Sequence, residues 1–161
     1  MRVAVVMGSV SDLAKVDPAI LILKEFGVKT DVRCLSAHRA HQELCNFISE
    51  ANNNGTEVII AAAGMAAALP GVIAAQTVIP VIGVPISGSV LDGMDALLSI
   101  AQMPPGIPVA TVAINGSKNA AYLALQIIGN KHEDIKKILL EHRNKMKQEA
   151  IEKNEEIKNK Y

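Results

Sequence analysis

Hydrophobic residues along this chain fall into short unbroken runs, and the stretches between the runs repeat every three or four residues. Arg2 to Met7 is an apolar run that ends in Gly8-Ser9, Val58 to Ala63, Val81 to Val84 and Val109 to Ile114 supply three more, and Lys29 to Leu35 reads as a further strand. Runs of this length bounded by turn residues predict buried strands. Between them, Leu13, Val16, Ile20 and Leu23 share one helical face, with Gly27 as a stop. Pro18 inside that pattern leaves two readings open, a kinked helix or one that restarts at Asp17. Leu44, Phe47, Ile48 and Ala51 mark a second helix ending at Asn52-Asn53-Asn54-Gly55. Shorter helices are expected from Pro70 to Gln76, Asp92 to Ala101 and Lys118 to Ile128. A last stripe of Ile135, Ile138, Leu139, His142, Met146 and Ala150 predicts a long amphipathic helix. Alternating strands and helices, with strands apolar on both faces, imply an α/β fold whose parallel sheet is covered on both sides. Ligands of such sheets bind beyond the carboxyl ends of the strands, where strand order reverses.

Charge is distributed unevenly. No Lys or Arg lies between Arg39 and Lys118, and from Val58 to Ser117 the only charges are Asp92 and Asp95. The stretch from Val58 to Ile86 is long enough for a bilayer, but Pro70, Pro80, Pro85 and three glycines interrupt it. A buried core explains it better than a membrane span. The helices around Pro70 to Gln76 and Asp92 to Ala101 have almost no polar side, so a partner subunit is expected to cover them. With 161 residues, half of them hydrophobic, the chain should form one domain, an α/β core over 1–130 followed by the terminal helix over 131–161. Sixteen basic residues balance sixteen acidic ones, and aromatic residues make up 2%. That balance lacks the basic footprint and stacking platforms of nucleic-acid binders. Cys34 and Cys45 are too few for a disulfide scaffold or a cysteine metal site. Without a secretory signal pattern, the expected location is the cytoplasm.

The strand-end loops hold the chemistry. The first, Gly8-Ser9-Val10-Ser11-Asp12, offers two hydroxyls beside a helix start. It is neither a dinucleotide fingerprint nor a Walker loop, and Asp12 suits sugar hydroxyls or a helix cap better than a phosphate. The second, Ser36-Ala37-His38-Arg39, sets a hydroxyl, an imidazole and a guanidinium side by side. Arginine grips phosphate dianions, and an imidazole can move protons at neutral pH. His41 is either a second titrating group or a solvated one, and His132 and His142 read as structural. The third loop, Ala63 to Gly71, contains no acid, base or nucleophile. Its small residues either admit a planar ligand near the backbone or pack helix on sheet. Ser87-Gly88-Ser89 and Gln102 to Gly106 are two further uncharged loops.

Together these segments resemble the PurE family closely. The matching motifs are Gly8 to Asp12, Ser36 to Arg39, Ala63-Gly64 with Leu69-Pro70-Gly71, Leu91 to Ile100, Gln102-Met103-Pro104 and Gly106 to Val109, with Asn119-Ala120-Ala121 behind them. The resemblance runs from about Val3 to Ile128. It implies a flavodoxin-like αβα sandwich of three layers, assembled as a homo-octamer with active sites at subunit contacts. It also implies a carboxyaminoimidazole ribonucleotide mutase or an aminoimidazole ribonucleotide carboxylase, working without metal or organic cofactor. His38 matches the family's catalytic histidine. By the same resemblance Ser9, Ser11, Ser36 and Arg39 would hold phosphate and Asp12 ribose, with Ala37, Gly64, Met65, Ala68 and Leu69 completing the substrate site.

Three departures from the mutase pattern stand out. Ala68 stands where a second histidine is usual, Met65 where many bacterial members have glycine, and Ala40-His41 where Thr-Pro is usual. The carboxylase branch typically has lysine at the Arg39 position and lacks Leu-Pro-Gly, which leaves this chain nearer the mutases. Two other readings stay open at this stage. One is a ribonucleotide-binding protein without activity, suggested by Ala68. The other is a flavin carrier, for which two Phe and two Tyr offer little to stack on.

Overall fold

The computed structural model describes residues 1–88 and 90–161; Ser89 of the fourth strand-end loop lies outside them. Residues Met1–Ala124 and Leu125–Tyr161 form two compact units. In the first, β1 (Arg2–Met7), α1 (Leu13–Glu25), β2 (Lys29–Cys34), α2 (His41–Asn53), β3 (Val58–Gly64), α3 (Leu69–Ala74), β4 (Val81–Ile86), α4 (Met94–Ala101) and β5 (Ala110–Thr111) alternate along the chain. A fifth helix, α5 (Ser117–Gly129), begins in the first unit and ends in the second, which also holds α6 (Glu133–Lys160).

All pairings in the sheet are parallel, in the order β2-β1-β3-β4-β5. One face carries Ala4, Val6, Ile59, Ala61 and Ala63, which form a core with Leu44, Phe47, Ile48 and Ala51 of α2, Leu69 and Ile73 of α3, and Ala96 and Ile100 of α4. The alternate residues Val3, Val5, Ile60 and Ala62 are fully buried on the opposite face, the side given to α1 by a right-handed return from β1 to β2. Phe26, just past α1, meets Tyr122 of α5 edge to face, with ring centroids 6.2 Å apart. The result is a three-layer sandwich. Among the described residues, no helix is long and apolar enough to cross a membrane.

Most elements fall where the apolar pattern puts them. The four residues read as the inner face of α2 are the four that are buried. Pro18 lies inside a continuous α1, which removes the reading of a restart at Asp17. Burial on both faces holds for β1, β3 and β4 but not for the edge strands: β2 is at most half-buried, and β5 shrinks from the expected Val109–Ile114 to two residues. Proline at position 85 is the physical reason for the short β5. Gly83 accepts from Val112 N and Pro85 from Asn115 N, so both turn their peptide groups toward β5, and Pro85 has no N–H to return. In α6, Ile135 and Leu139 are buried as expected. Ile138 and Met146 of the same stripe are exposed, and from Leu140 onward no residue is buried.

Gly83 shows how tightly β4 is held. A Cβ there would collide with Ile100 Cγ2 and come within 2.9 Å of Val109 Cγ1. Gly83→Ala should therefore destabilise the protein by about 1–3 kcal/mol, the usual cost of overpacking, read as a lower urea midpoint. An unchanged midpoint would show that α4 shifts away freely.

Candidate active site

Strand order reverses between β1 and β3. The chain leaves β1 for α1 on one face and β3 for α3 on the other, and the gap between their carboxyl ends opens into a cleft of about 600 Å³. That volume suits a ligand of nucleotide size. Ser9, Ser11, Asp12, Ser36, Ala37, His38, Arg39, Gly64, Met65, Ala68 and Leu69 all line it. Every residue singled out for the site in the sequence thus comes to one place, although they lie on three different loops.

Each loop has a local cause. After β1, Gly8 N donates to Ala62 O (3.2 Å) and Ser9 caps a one-turn 3₁₀ helix. Its Oγ accepts from Ser11 N at 3.3 Å and from Ser11 Oγ at 2.7 Å, so both hydroxyls are fixed at the mouth of the cleft. After β2, the turn holding Ser36 to Arg39 is closed by Ala40 N donating to Ser36 O at 2.9 Å, and α2 starts directly behind it. His38 and Arg39 are exposed at the rim. After β3, Met65 (φ 55°) and Ala67 (φ 37°) both take the left-handed conformation that side chains disfavour. Glycine is the unstrained choice at the Met65 position. Gly64 serves close approach instead, since a Cβ would lie 3.1 Å from Ile86 O.

Other residues of interest lie elsewhere. The His41 ring meets Cys45, Nε2 to Sγ 3.5 Å, and does not line the cleft. Ala40, at the N-cap of α2, makes no capping bond. Among the described residues, no group of three His, Cys, Asp or Glu side chains could hold a metal ion. The cleft also contains Lys15, Ile86, Ser87 and Gly88. Lys15 was missed by the sequence reading. Its only local signal is its place three residues after Asp12, on the same face of the helix.

Comparison with known proteins bears on this site. The family model described as AIR carboxylase matches residues 2–149. A Pyrococcus horikoshii protein named N5-carboxyaminoimidazole ribonucleotide mutase is 52% identical over 94% of this chain and 85% of its own length. A Candida glabrata phosphoribosylaminoimidazole carboxylase is 50% identical over 94% of this chain but only 26% of its own. The crystal structure of Treponema denticola PurE superimposes with a TM-score of 0.89 at 28% identity, covering 96% of this chain and 97% of that one.

Asp12 has a carboxyl raised above the ordinary carboxylate range. Burial is the main cause, opposed by a hydrogen bond from the Ser9 backbone, by the Ser11 hydroxyl and by the charge of Lys15. The folded protein therefore holds this proton more tightly than the unfolded chain does. Ionised Asp12 costs stability at neutral pH, and the cost disappears as the pH falls through the folded and then the unfolded value. Asp12→Asn should accordingly be more stable than the wild type at pH 7, with the gap closing toward about pH 4. Urea unfolding of both proteins at the two pH values is the check. A gap independent of pH would refute the burial argument.

Proposed function

The chain belongs to the AIR carboxylase family, and on that footing we propose an enzyme of purine biosynthesis that interconverts 5-carboxyaminoimidazole ribonucleotide and 4-carboxy-5-aminoimidazole ribonucleotide. What carries this reading is the convergence of His38 and Arg39 with the Ser9-Ser11-Asp12 loop on one cleft at the strand-order reversal. The mutase name of a relative aligned over most of both chains supports it.

In this reading Arg39 and the Ser9, Ser11 and Ser36 hydroxyls hold the phosphate, and Asp12 accepts from the ribose. The heterocycle lies against Ala37 and the small-residue wall of Gly64, Met65, Ala68 and Leu69. The carbamate N–C bond breaks, and its electron pair returns to the exocyclic nitrogen as carbon dioxide departs. Ring carbon four attacks that carbon dioxide and then loses its proton. One proton is gained at nitrogen and one is lost at carbon, so a single imidazole can serve both steps as general acid and general base. His38 fills this role. The cleft retains the carbon dioxide between the two bond changes.

The same reading takes the chain to be a single PurE-like domain over 1–161, since the family match from 2 to 149 runs through both compact units. It also takes the protein to be a cytoplasmic homo-oligomer, an octamer as the resemblance implies. The exposed apolar side chains Leu91, Met94 and Leu98 support a subunit contact along α4. A second reading, direct carboxylation of aminoimidazole ribonucleotide by carbon dioxide, draws on the carboxylase name of the Candida glabrata relative and on Ala68 in place of the second histidine.

Purified wild-type protein should convert 5-carboxyaminoimidazole ribonucleotide at a rate independent of added bicarbonate, and His38→Asn should lower that rate by about 10²–10⁴-fold. Unchanged turnover in the variant would remove His38 from the mechanism. A bicarbonate-dependent rate with aminoimidazole ribonucleotide would select the carboxylase. Ligand binding without turnover in either assay would select the inactive binder.

A further inference from the structure

Lys15 reaches from α1 across the cleft floor to the loop after β4. Its Nζ donates to Ser87 O at 2.6 Å and to Ser87 Oγ at 3.1 Å, over 72 residues of sequence. Ser87 is fixed from the other side as well. Asn115 Nδ2 donates to Ser87 Oγ at 2.8 Å, and Ser87 N donates to Asn115 Oδ1 at 3.1 Å. Asn115 itself holds a left-handed backbone, φ 57°. The floor is therefore braced from three elements, and the lysine ammonium cannot swing freely.

A lysine that only clasps a loop would be a sufficient account if its charge were neutralised in place. Both of its hydrogen-bond acceptors are neutral, and the Asp12 carboxylate, which lines the same cleft, feels its charge without a hydrogen bond to it. Lysine has three donors, and Ser87 takes two. The remaining N–H belongs to a half-buried cation that lines the cleft. Lys15 and Arg39 are the only lysine or arginine residues there. Arg39 follows β2 and Ser87 follows β4, three strand spacings apart in the order β2-β1-β3-β4-β5, roughly 14 Å at the strand ends. A ligand that satisfied both cations would be anionic at both ends.

We propose that Lys15 is the carboxylate-reading residue of the site, its ammonium meeting the carboxylate of the carboxylated ribonucleotide while Arg39 meets the phosphate. This rests on the ribonucleotide reading given above. The Ser87 clasp then has a second purpose, to hold the cation at the distance of the heterocycle rather than at that of the phosphate. An electrostatic role fits the site's composition, because the third loop offers no cation of its own. Ala68, where an imidazole is usual in the family, leaves that side of the cleft uncharged.

Calorimetric titration with two ligands separates the possibilities: 4-carboxy-5-aminoimidazole ribonucleotide and 5-aminoimidazole ribonucleotide, which lacks the carboxylate. Lys15→Met should weaken the carboxylated ligand by about tenfold or more, the size of a lost charge-assisted hydrogen bond, and the other by less than about twofold. Lys15→Arg should restore part of the preference. Ser87→Ala, which keeps the carbonyl partner of Lys15, should retain it, and thermal unfolding checks that each variant is folded. Equal loss of both ligands in Lys15→Met, or loss of neither, would overturn the assignment while leaving the ribonucleotide reading intact. Failure of the wild type to bind either ligand would overturn the ribonucleotide reading itself, and this assignment with it.

Discussion

Two neighbouring parallel strands whose crossovers depart in opposite directions leave a gap at their carboxyl ends that neither helix can fill, and here that gap separates β1 from β3. Its position follows from the hand of the crossovers and the order in which the strands pair. Once it exists, the turns after β1, β2, β3 and β4 must end around it, whatever residues they carry. The buried strands make the position stiff: β1 and β3 are nearly free of solvent along their whole length, and their register is continuous from Val3↔Val58 to Met7↔Ala62. A shift of one residue would turn Val3 and Val5 to the opposite face and displace every loop. The site thus inherits its geometry from the packing of Val, Ile and Ala side chains that never touch a ligand.

Much of this is written in local sequence. An apolar run between turn residues is enough to find β1, β3 and β4, and one helical stripe is enough to find the buried face of α2. The loop residues of the site are legible for the same reason, since each sits within a few residues of a strand end. What the sequence hides depends on partners distant along the chain. The shortening of β5 needs the peptide direction of Pro85, which only its bond from Asn115 N reveals. The continuity of α1 through Pro18 is decided by packing, with Val16, Ala19, Ile20 and Leu23 all buried around the missing bond. The Lys15–Ser87 contact joins residues with no pattern in common.

The third loop carries strain in its backbone. Met65 and Ala67 both hold left-handed φ values, a geometry costing about 1–2 kcal/mol for any residue with a Cβ. Ala67 N donates to Gly64 O at 3.0 Å, which closes the turn between them. Strain persists where surrounding structure imposes it, and here Ile86 O leaves little room for a Cβ at Gly64 while Ala67 and Leu69 are buried in the core. Methionine at position 65 holds this strained turn with its side chain exposed at the rim of the cleft. Ala68 differs in kind, since it lines the cleft and is not itself in that strained conformation. Its consequence is chemical: this wall of the cleft carries no side chain that can take or give a proton.

Charge and shape come from different halves of the first unit. Asp12, Lys15, His38 and Arg39 all precede α2, whereas the residues that line the cleft from β3 onward carry no charge. This division lets β3, α3 and β4 bury their surfaces without desolvating ions, whose burial is costly unless they are paired. It also means that the later half can act on a ligand only through backbone groups, hydroxyls and close fit. Ser87 is where the two halves meet: a neutral residue of the later half fixes an ammonium of the earlier one. A cation anchored by neutral oxygen atoms keeps its charge available to a ligand, while one anchored by a carboxylate would spend most of its field on that partner. By this logic the uncharged middle of the chain, which first suggests only a core, also adds no counter-charge to the cleft, and Asp12 is the one carboxylate among the described residues that lines it.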